Sequence, residues 1–437
     1  EMLRSLVGSE MCIRDRNKEK LLNMIKYSYE RVPFYMKKQM SDIVEEMTEE
    51  NVTEKMKNLP IICKDEIVRD GVNISLDYGM ENDGSIIMLQ TSGSTGKCLN
   101  VYWDKTDFNK SLLSLWIYRK KYYGINPGDK MCYFYTIGNT DRYKTNGNIK
   151  YEEDKLRIGF SKANLNDENM DWICMKIKEF NPRWLNLQPS IALLLAKAMT
   201  RNNIDKIQNL SYIELTGEML LESTRQKLKE VFKCEIANQY GCHEANSIAF
   251  ECPHNKLHCM EDNIYVEIVD NEGKEVQDGK DGSIIITTLN NHAMPFIRYK
   301  IGDRGVIDHN HDVCKCGNKS PVLKLSSGRV NDYIVLSDGS RINAYIFVRA
   351  IETVNIKLDN IILQFRVVQK EYAYFIVYLV LDEDVIDAGI GERDVENLFL
   401  KSIDEERLYD TEFDFEYYDE FLPDEDNGKL RYFVREV

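Results

Sequence analysis

An apolar run, Ile86 to Leu89, leads directly into Thr91-Ser92-Gly93-Ser94-Thr95-Gly96-Lys97. Glycines at 93 and 96 permit tight turns and close backbone approach, so hydroxyls and backbone N–H groups can surround phosphate oxygens. Lys97 adds a positive charge. The loop follows an apolar strand, and the alternation of helix and strand along the chain favours an α/β arrangement. The segment is not a Walker loop, which needs Gly where Thr91 stands and Ser or Thr where Cys98 stands. Kinase-like and GTPase-like readings weaken accordingly. A Gly/Ser/Thr run alone is most often a polar loop, so its companions along the chain decide.

Hydrophobic periodicity alternates helix with strand. Leu21, Leu22, Ile25 and Tyr29 have helical spacing in a stretch from Asn17 to about residue 50 that Pro33 interrupts. Ser111 to Tyr123 and Ile191 to Met199 read as helices, and Met131 to Ile137 and Tyr212 to Leu215 as strands. Beyond residue 260 the texture is β-rich: Ile264 to Val269 and Ser283 to Leu289 are expected strands, with Asp281-Gly282 as a turn. After Gly328 a compact α+β segment follows. Helices are expected at Tyr345 to Val354 and Val395 to Leu408, and strands at Ile361 to Val368, Ala373 to Leu381 and Glu412 to Tyr418. The expected boundary lies near Gly328 to Asp332. Ser5 to Arg16 (SLVGSEMCIRDR) resembles translated sequencing adapter, so residues 1–16 are expected to be a non-native leader.

The net charge of -15 repels phosphate backbones and anionic lipid surfaces, so nucleic acid and membrane are not expected partners. No apolar stretch approaches the ~20 residues that span a bilayer. The 11 cysteines are scattered and odd in number, which fits free thiols in a reducing, cytoplasmic setting.

Five further segments follow the loop in order: Thr216-Gly217-Glu218, Tyr240-Gly241-Cys242-His243-Glu244, Arg298-Tyr299-Lys300-Ile301-Gly302-Asp303, Gly328-Arg329-Val330-Asn331-Asp332 and Asn427-Gly428-Lys429-Leu430-Arg431. Together with the loop they resemble the adenylate-forming superfamily. Phe250-Glu251-Cys252-Pro253 and Val266-Glu267-Ile268 resemble its phenylacetate–CoA ligase branch, which includes capsule-locus relatives. The resemblance covers the chain after Asn17.

The resemblance implies an α/β fold: a large multi-sheet N-terminal domain, residues 17–331, binding ATP and the acyl group, and a small mobile α+β C-terminal domain, residues 332–437. It implies that Thr91 to Lys97 hold phosphates, that Gly217, Glu218, Tyr240 and Gly241 lie by the adenine, and that Asp303 and Arg329 bind near the ribose. An ionised carboxylate gives strong charge-assisted bonds to ribose hydroxyls. Glu244 would hold Mg²⁺, which prefers hard oxygen ligands. Asp332 would be the hinge, and Lys429 would stabilise charge as the acyl-adenylate forms. His243 stands where the motif carries threonine or serine, so this chain lacks that hydroxyl.

The implied activity is acid–CoA ligation: ATP activates a carboxylate as acyl-AMP, and CoA receives the acyl group. Alternatives are transfer of acyl or AMP to a carrier protein, amine, sugar or cofactor, or a nucleotide-binding protein without catalysis. Expected partners are a small carboxylate, ATP, CoA or another acceptor, and a second copy of the chain. The expected acyl segment, Tyr133 to Asn148, reads YFYTIGNTDRYKTNGN and is polar, which argues against phenylacetate itself. Tyr133, Phe134, Tyr135 and Trp184 keep an aromatic acid in view, and a polar or sugar-linked acid is the other option.

All six histidines fall between His243 and His311, near four cysteines. Cys252, His258, Cys314 and Cys316 could supply a Cys3His set for structural Zn²⁺, with Cys259, His254, His309 and His311 as rival ligands. Some members of the branch carry such a site.

Overall fold

The computed structural model describes residues 10–70, 73–78, 85–91, 98–135, 143–309, 314–329, 333–382, 385–386, 389–405, 408, 410–422 and 430–437. The fold is mixed α/β. Two compact units emerge: Glu1–Tyr122 with Gln239–Ser326, and Tyr123–Asn238 with Ser327–Val437. Each unit therefore draws on two stretches of chain.

The first unit opens with the helix Glu10–Arg31, which begins inside the segment read as a leader and continues through it. Val32 then takes an extended conformation and Pro33 starts the next short helix, as a proline at the first helical position allows. The Ile86–Gln90 strand pairs antiparallel with Asn100–Asp104, so the strand before residues 91–97 pairs with the strand that follows them. A sheet runs in the order Ile264–Val269, Gly282–Thr288, Tyr299–Asp308, Val322–Arg329, Leu257–Cys259, Ala249–Glu251 and Glu235–Tyr240. Gly282–Thr288 is buried along its whole length, which suits its continuous Ile284-Ile285-Ile286 run. Gly282 is already in the strand rather than in the expected turn.

The second unit contains the strands Tyr212–Thr216, Trp184–Leu187, Met131–Tyr135 and Arg157–Ser161 as adjacent parallel neighbours, with Ile149–Glu153 and Lys144–Asn146 continuing antiparallel. Helices Asp167–Phe180, Pro189–Arg201 and Glu222–Phe232 share its core, where Ile173, Ile177, Leu195, Leu228 and Phe232 are buried. Asn166 caps the first of these by accepting the Asn169 N–H at 3.0 Å. The chain after Tyr333 forms a four-stranded sheet in the order Glu412–Tyr417, Tyr374–Leu381, Ile362–Glu371, Phe433–Arg435, packed with helices Tyr345–Lys357 and Glu392–Glu405.

Candidate functional site

In the first unit, Thr91 closes the base of the segment 91–97, expected to hold phosphates. Its N–H donates to the Leu99 carbonyl at 2.9 Å, and its Oγ1 accepts the Leu99 N–H at 2.9 Å and the Lys64 ammonium at 3.0 Å. The threonine thus ties together the two chain positions that flank residues 92–97. Ser92, Gly93, Ser94, Thr95, Gly96 and Lys97 themselves lie outside the described residues.

Strand Glu235–Tyr240 ends at a sharp turn. The Ile248 N–H returns to the Tyr240 carbonyl at 2.9 Å, and the Asn246 N–H reaches the Cys242 carbonyl at 2.7 Å. Gly241 is required here: a Cβ would sit 2.0 Å from the Asn246 carbonyl oxygen. The Trp103 indole N–H donates to the His243 carbonyl at 2.9 Å and fixes the far side of the turn. Glu244 is buried, and its Oε1 accepts the Tyr299 hydroxyl at 3.1 Å. Burial, and then the Glu244 charge, push the Tyr299 hydroxyl far above the ordinary tyrosine value, so it stays a donor.

Asp303 reaches this turn through an irregularity that its sequence does not advertise. Strand Tyr299–Asp308 pairs Ile285 with Lys300 and then Ser283 with Arg304, so residues 301–303 stand opposite Ile284 alone and their side of the ladder is two residues longer. Such a bulge bends the strand and re-aims side chains. Gly302 supplies the left-handed backbone it needs, at φ +95°. The result is a 2.7 Å hydrogen bond from the Tyr240 hydroxyl to Asp303 Oδ2, joining two motifs 63 residues apart.

Arg298, which the motif string alone does not single out, has a structural role. Its guanidinium is buried and forms an ion pair with Glu267 at 3.0 Å. It also donates to the carbonyls of Lys57 and Leu59 at 2.6 and 2.7 Å. It therefore ties the start of the Asp303 strand to the 57–62 segment, where the Ile62 N–H donates to the Arg298 carbonyl at 3.0 Å. A lone arginine in the apolar string MPFIRY was the available signal.

Cys252, His258, Cys314 and Cys316 come together in the same unit, with their ligand atoms all within 4.8 Å of one another. Cys252 follows the Ala249–Glu251 strand, and His258 lies on the Leu257–Cys259 strand opposite Val322. The Cys314 turn is closed by the Gly317 N–H bonding the Cys314 carbonyl at 2.7 Å. Sulfur atoms of Cys252 and Cys314 are 3.7 Å apart, and Cys316 Sγ is 3.4 Å from His258 Nε2. His258 Nδ1 lies 3.1 Å from the Ser320 carbonyl, an acceptor, so it carries the proton and Nε2 presents its lone pair inward. Burial pushes the Cys252 thiol up to about 12. Against burial, the Asn318 N–H and the Tyr122 hydroxyl bring the Cys316 thiol below its ordinary value. Three thiols and one imidazole at tetrahedral reach fit Zn²⁺. Of the rival ligands, Cys259 is buried in its strand, His309 pairs with Asp278 at 2.7 Å, His254 stands outside the cluster, and His311 lies outside the described residues.

In the second unit, Gly217 takes φ +83° just after strand Tyr212–Thr216 and delivers Glu218 to the start of the Pro189–Arg201 helix. Arg329 ends the Val322–Arg329 strand. Asp332 and Lys429 lie outside the described residues. Of the aromatic residues considered for the acyl group, Phe134 and Trp184 are buried in the core. Tyr133 and Tyr135 are half-buried on one face of their strand, with ring centroids 5.9 Å apart. Tyr133 lies over Gly159, where a Cβ would meet its ring at 2.6 Å, and its hydroxyl bonds Glu152.

Residues 156–293 match the AMP-binding enzyme family. The chain is 23% identical to a phenylacetate-coenzyme A ligase of Thermus thermophilus over 404 residues, covering 91% of this chain and 85% of that protein. It is 24% identical to protein CapK of Staphylococcus aureus over 390 residues, covering 87% and 80% respectively. A crystal structure of 2-hydroxyisobutyryl-CoA ligase, in the postadenylation state with an acyl-AMP, superposes with a TM-score of 0.71 at 16% identity. That superposition covers 96% of this chain and 89% of the other, and shows a shared fold.

Proposed function

We infer, from a chain that carries an AMP-binding enzyme domain, that it is an AMP-forming acid–thiol ligase acting on a small carboxylate, ATP and CoA. The observation that carries this reading is the Tyr240–Asp303 hydrogen bond at 2.7 Å, with Glu244 beside Tyr299. It joins two of the nucleotide-binding motifs with their carboxylates in one small region. Relatives named phenylacetate-coenzyme A ligase support the same class.

In the first half-reaction a carboxylate oxygen attacks the α-phosphorus of ATP. An O–P bond forms, the bond to pyrophosphate breaks, and acyl-AMP results. Thr91 to Lys97 hold the departing phosphates, and Lys429 offsets charge on the transferring group. Asp303 and Arg329 bind near the ribose, while Tyr240, Gly241 and the Gly217–Glu218 turn lie on the adenine side. Glu244 would hold Mg²⁺, a single carboxylate beside substrate phosphates being the usual setting for that ion; when bound, it neutralises phosphate charge. In the second half-reaction the C-terminal domain, 332–437, rotates about Asp332 and withdraws Lys429. The CoA sulfur bonds the acyl carbon, the thiol proton leaves to solvent, and AMP departs. Positioning and electrostatics carry the chemistry, so no protein nucleophile is needed.

The paired Tyr133 and Tyr135 rings favour an aromatic acid. The cysteine cluster serves as a structural zinc site, with Cys252, His258, Cys314 and Cys316 as ligands. A reducing, cytoplasmic compartment suits both the free thiols and the use of ATP and CoA.

ATP–pyrophosphate exchange across a panel of aromatic, aliphatic and sugar-linked acids tests the reading. Exchange that needs one of the acids, followed by CoA-dependent AMP release, is expected. Acid-dependent exchange without any CoA effect shifts the acceptor to another amine, thiol or sugar. Absence of exchange with every acid defeats the ligase assignment.

A further inference from the structure

We infer that Glu218 is a positioning residue whose carboxylate latches the backbone at Leu430, directly after Lys429, onto the first turn of the Pro189–Arg201 helix, and so holds the C-terminal segment in its adenylating arrangement. The inference rests on the two-step reading above.

Three donors converge on this carboxylate. Oε1 accepts the Leu430 N–H at 2.8 Å and the Ser190 hydroxyl at 2.9 Å, and Oε2 accepts the Ser190 N–H at 3.0 Å. The helix needs this help. Its N-cap, Gln188, makes no side-chain cap bond, and Pro189 opens the first turn. A carboxylate there satisfies an orphan N–H and complements the positive end of the helix dipole. Although Glu218 keeps part of its surface, burial around the carboxyl raises its value, while the Leu430 and Ser190 bonds favour the ionised form. An ionised carboxylate only accepts, and all three partners donate to it here; protonation would remove an acceptor.

The surroundings are those of a packed joint. The Tyr432 hydroxyl donates to the Met219 carbonyl at 2.8 Å, two residues on from Leu430 and one from Glu218. Leu430 is buried, and Tyr432 packs its ring 5.1 Å from that of Phe365. The void lined by Ser190, Glu218, Met219, Leu430 and Tyr432 is about 10 Å³, room for no more than one water. The carboxylate therefore faces protein donors. The bonds to Ser190 join residues 187–221 to themselves, whereas the bond to Leu430 joins that region to the C-terminal segment. Rotation for thioester formation must break the latter and can leave the former intact.

Glu218→Ala and Glu218→Gln test the latch when the two half-reactions are assayed separately. Charge-assisted bonds of this kind predict that Glu218→Ala lowers the kcat of ATP–pyrophosphate exchange roughly tenfold to a hundredfold. Both Glu218 carboxylate oxygens are taken up by Ser190 and Leu430, so only the backbone of the Gly217–Glu218 turn is left for the adenine side. KM for ATP should therefore stay within about twofold, and thioester formation from supplied acyl-AMP should not slow. Glu218→Gln, which keeps one oxygen acceptor, should fall between. Amide hydrogen exchange of the peptide that includes residues 430–432 should accelerate in both variants. Equal loss of the two half-reactions, or a rise in KM for ATP with kcat intact, overturns the proposal. If wild-type protein shows no exchange with any acid, the ligase reading fails by itself. The peptide at Leu430 then still decides: unchanged amide protection in both variants overturns the latch, and faster exchange upholds it.

Discussion

Replacing Arg298 by methionine should destabilise the first unit severely, and more so as pH rises. The guanidinium and the Glu267 carboxylate are 3.0 Å apart, with side chains 3% and 1% exposed. Removing one partner of a buried ion pair costs about 3–5 kcal/mol, because the other charge stays buried alone. The Lys57 and Leu59 carbonyls also lose their donors, which keeps the expected total at about 4 kcal/mol or more. For a unit of about 200 residues that corresponds to a fall in melting temperature of about 8–16 °C. Burial already raises the Glu267 carboxyl, and Arg298 opposes that rise. Without the arginine the folded-state value climbs further above the unfolded one. A carboxyl raised in this way contributes stability that is full below the unfolded value and is lost as pH rises through the folded value. Thermal melts of wild type and Arg298→Met should therefore differ more at about pH 8 than at about pH 5.5. Arg298→Met combined with Glu267→Met should recover most of the loss, since an apolar pair of similar volume replaces a buried ion pair at little cost. A gap that stays constant with pH, or a double variant no better than the single one, would refute the reasoning.

Three other outcomes are expected. Asp303→Ala should raise the Kd for ATP by roughly tenfold or more if Asp303 makes the proposed charge-assisted ribose contact, and equilibrium titration with ATP reads it directly. Lys429→Ala should abolish most acid-dependent pyrophosphate exchange while largely sparing thioester formation from acyl-AMP; parallel loss of both speaks against two arrangements of the C-terminal domain. Purified protein should contain about one zinc per chain, and Cys316→Ser should release it and lower the melting temperature, with elemental analysis and melting curves as readouts.

Local elements of this chain were legible where they depend on short strings. The strand before residues 91–97 and the helices expected at Ser111 to Tyr123 and Ile191 to Met199 follow from local periodicity, and the structure extends the two helices to Lys105–Tyr123 and Pro189–Arg201. Thiol and imidazole spacing proposed Cys252, His258, Cys314 and Cys316, and strand pairing of His258 with Val322 is what brings them within reach. Helices Asp167–Phe180 and Glu222–Phe232 are not among the expected elements, although their buried residues recur at helical spacing.

What tertiary structure alone decided lies in contacts between distant parts of the chain. Gly302-Asp303, which in isolation reads as a turn, sits on a bulge inside a ten-residue strand, because three residues, 301–303, stand opposite Ile284 alone. Arg298 meets Glu267 and the carbonyls of 57 and 59, and Glu218 meets Leu430, 212 positions away. Amino-acid order supplied candidate groups for phosphate, magnesium and zinc, since candidacy follows from charge, donor type and local backbone freedom. Which carboxylate faces a hydroxyl, an arginine or a passing backbone amide depends on sheet register and burial, and those are settled only when the whole chain packs.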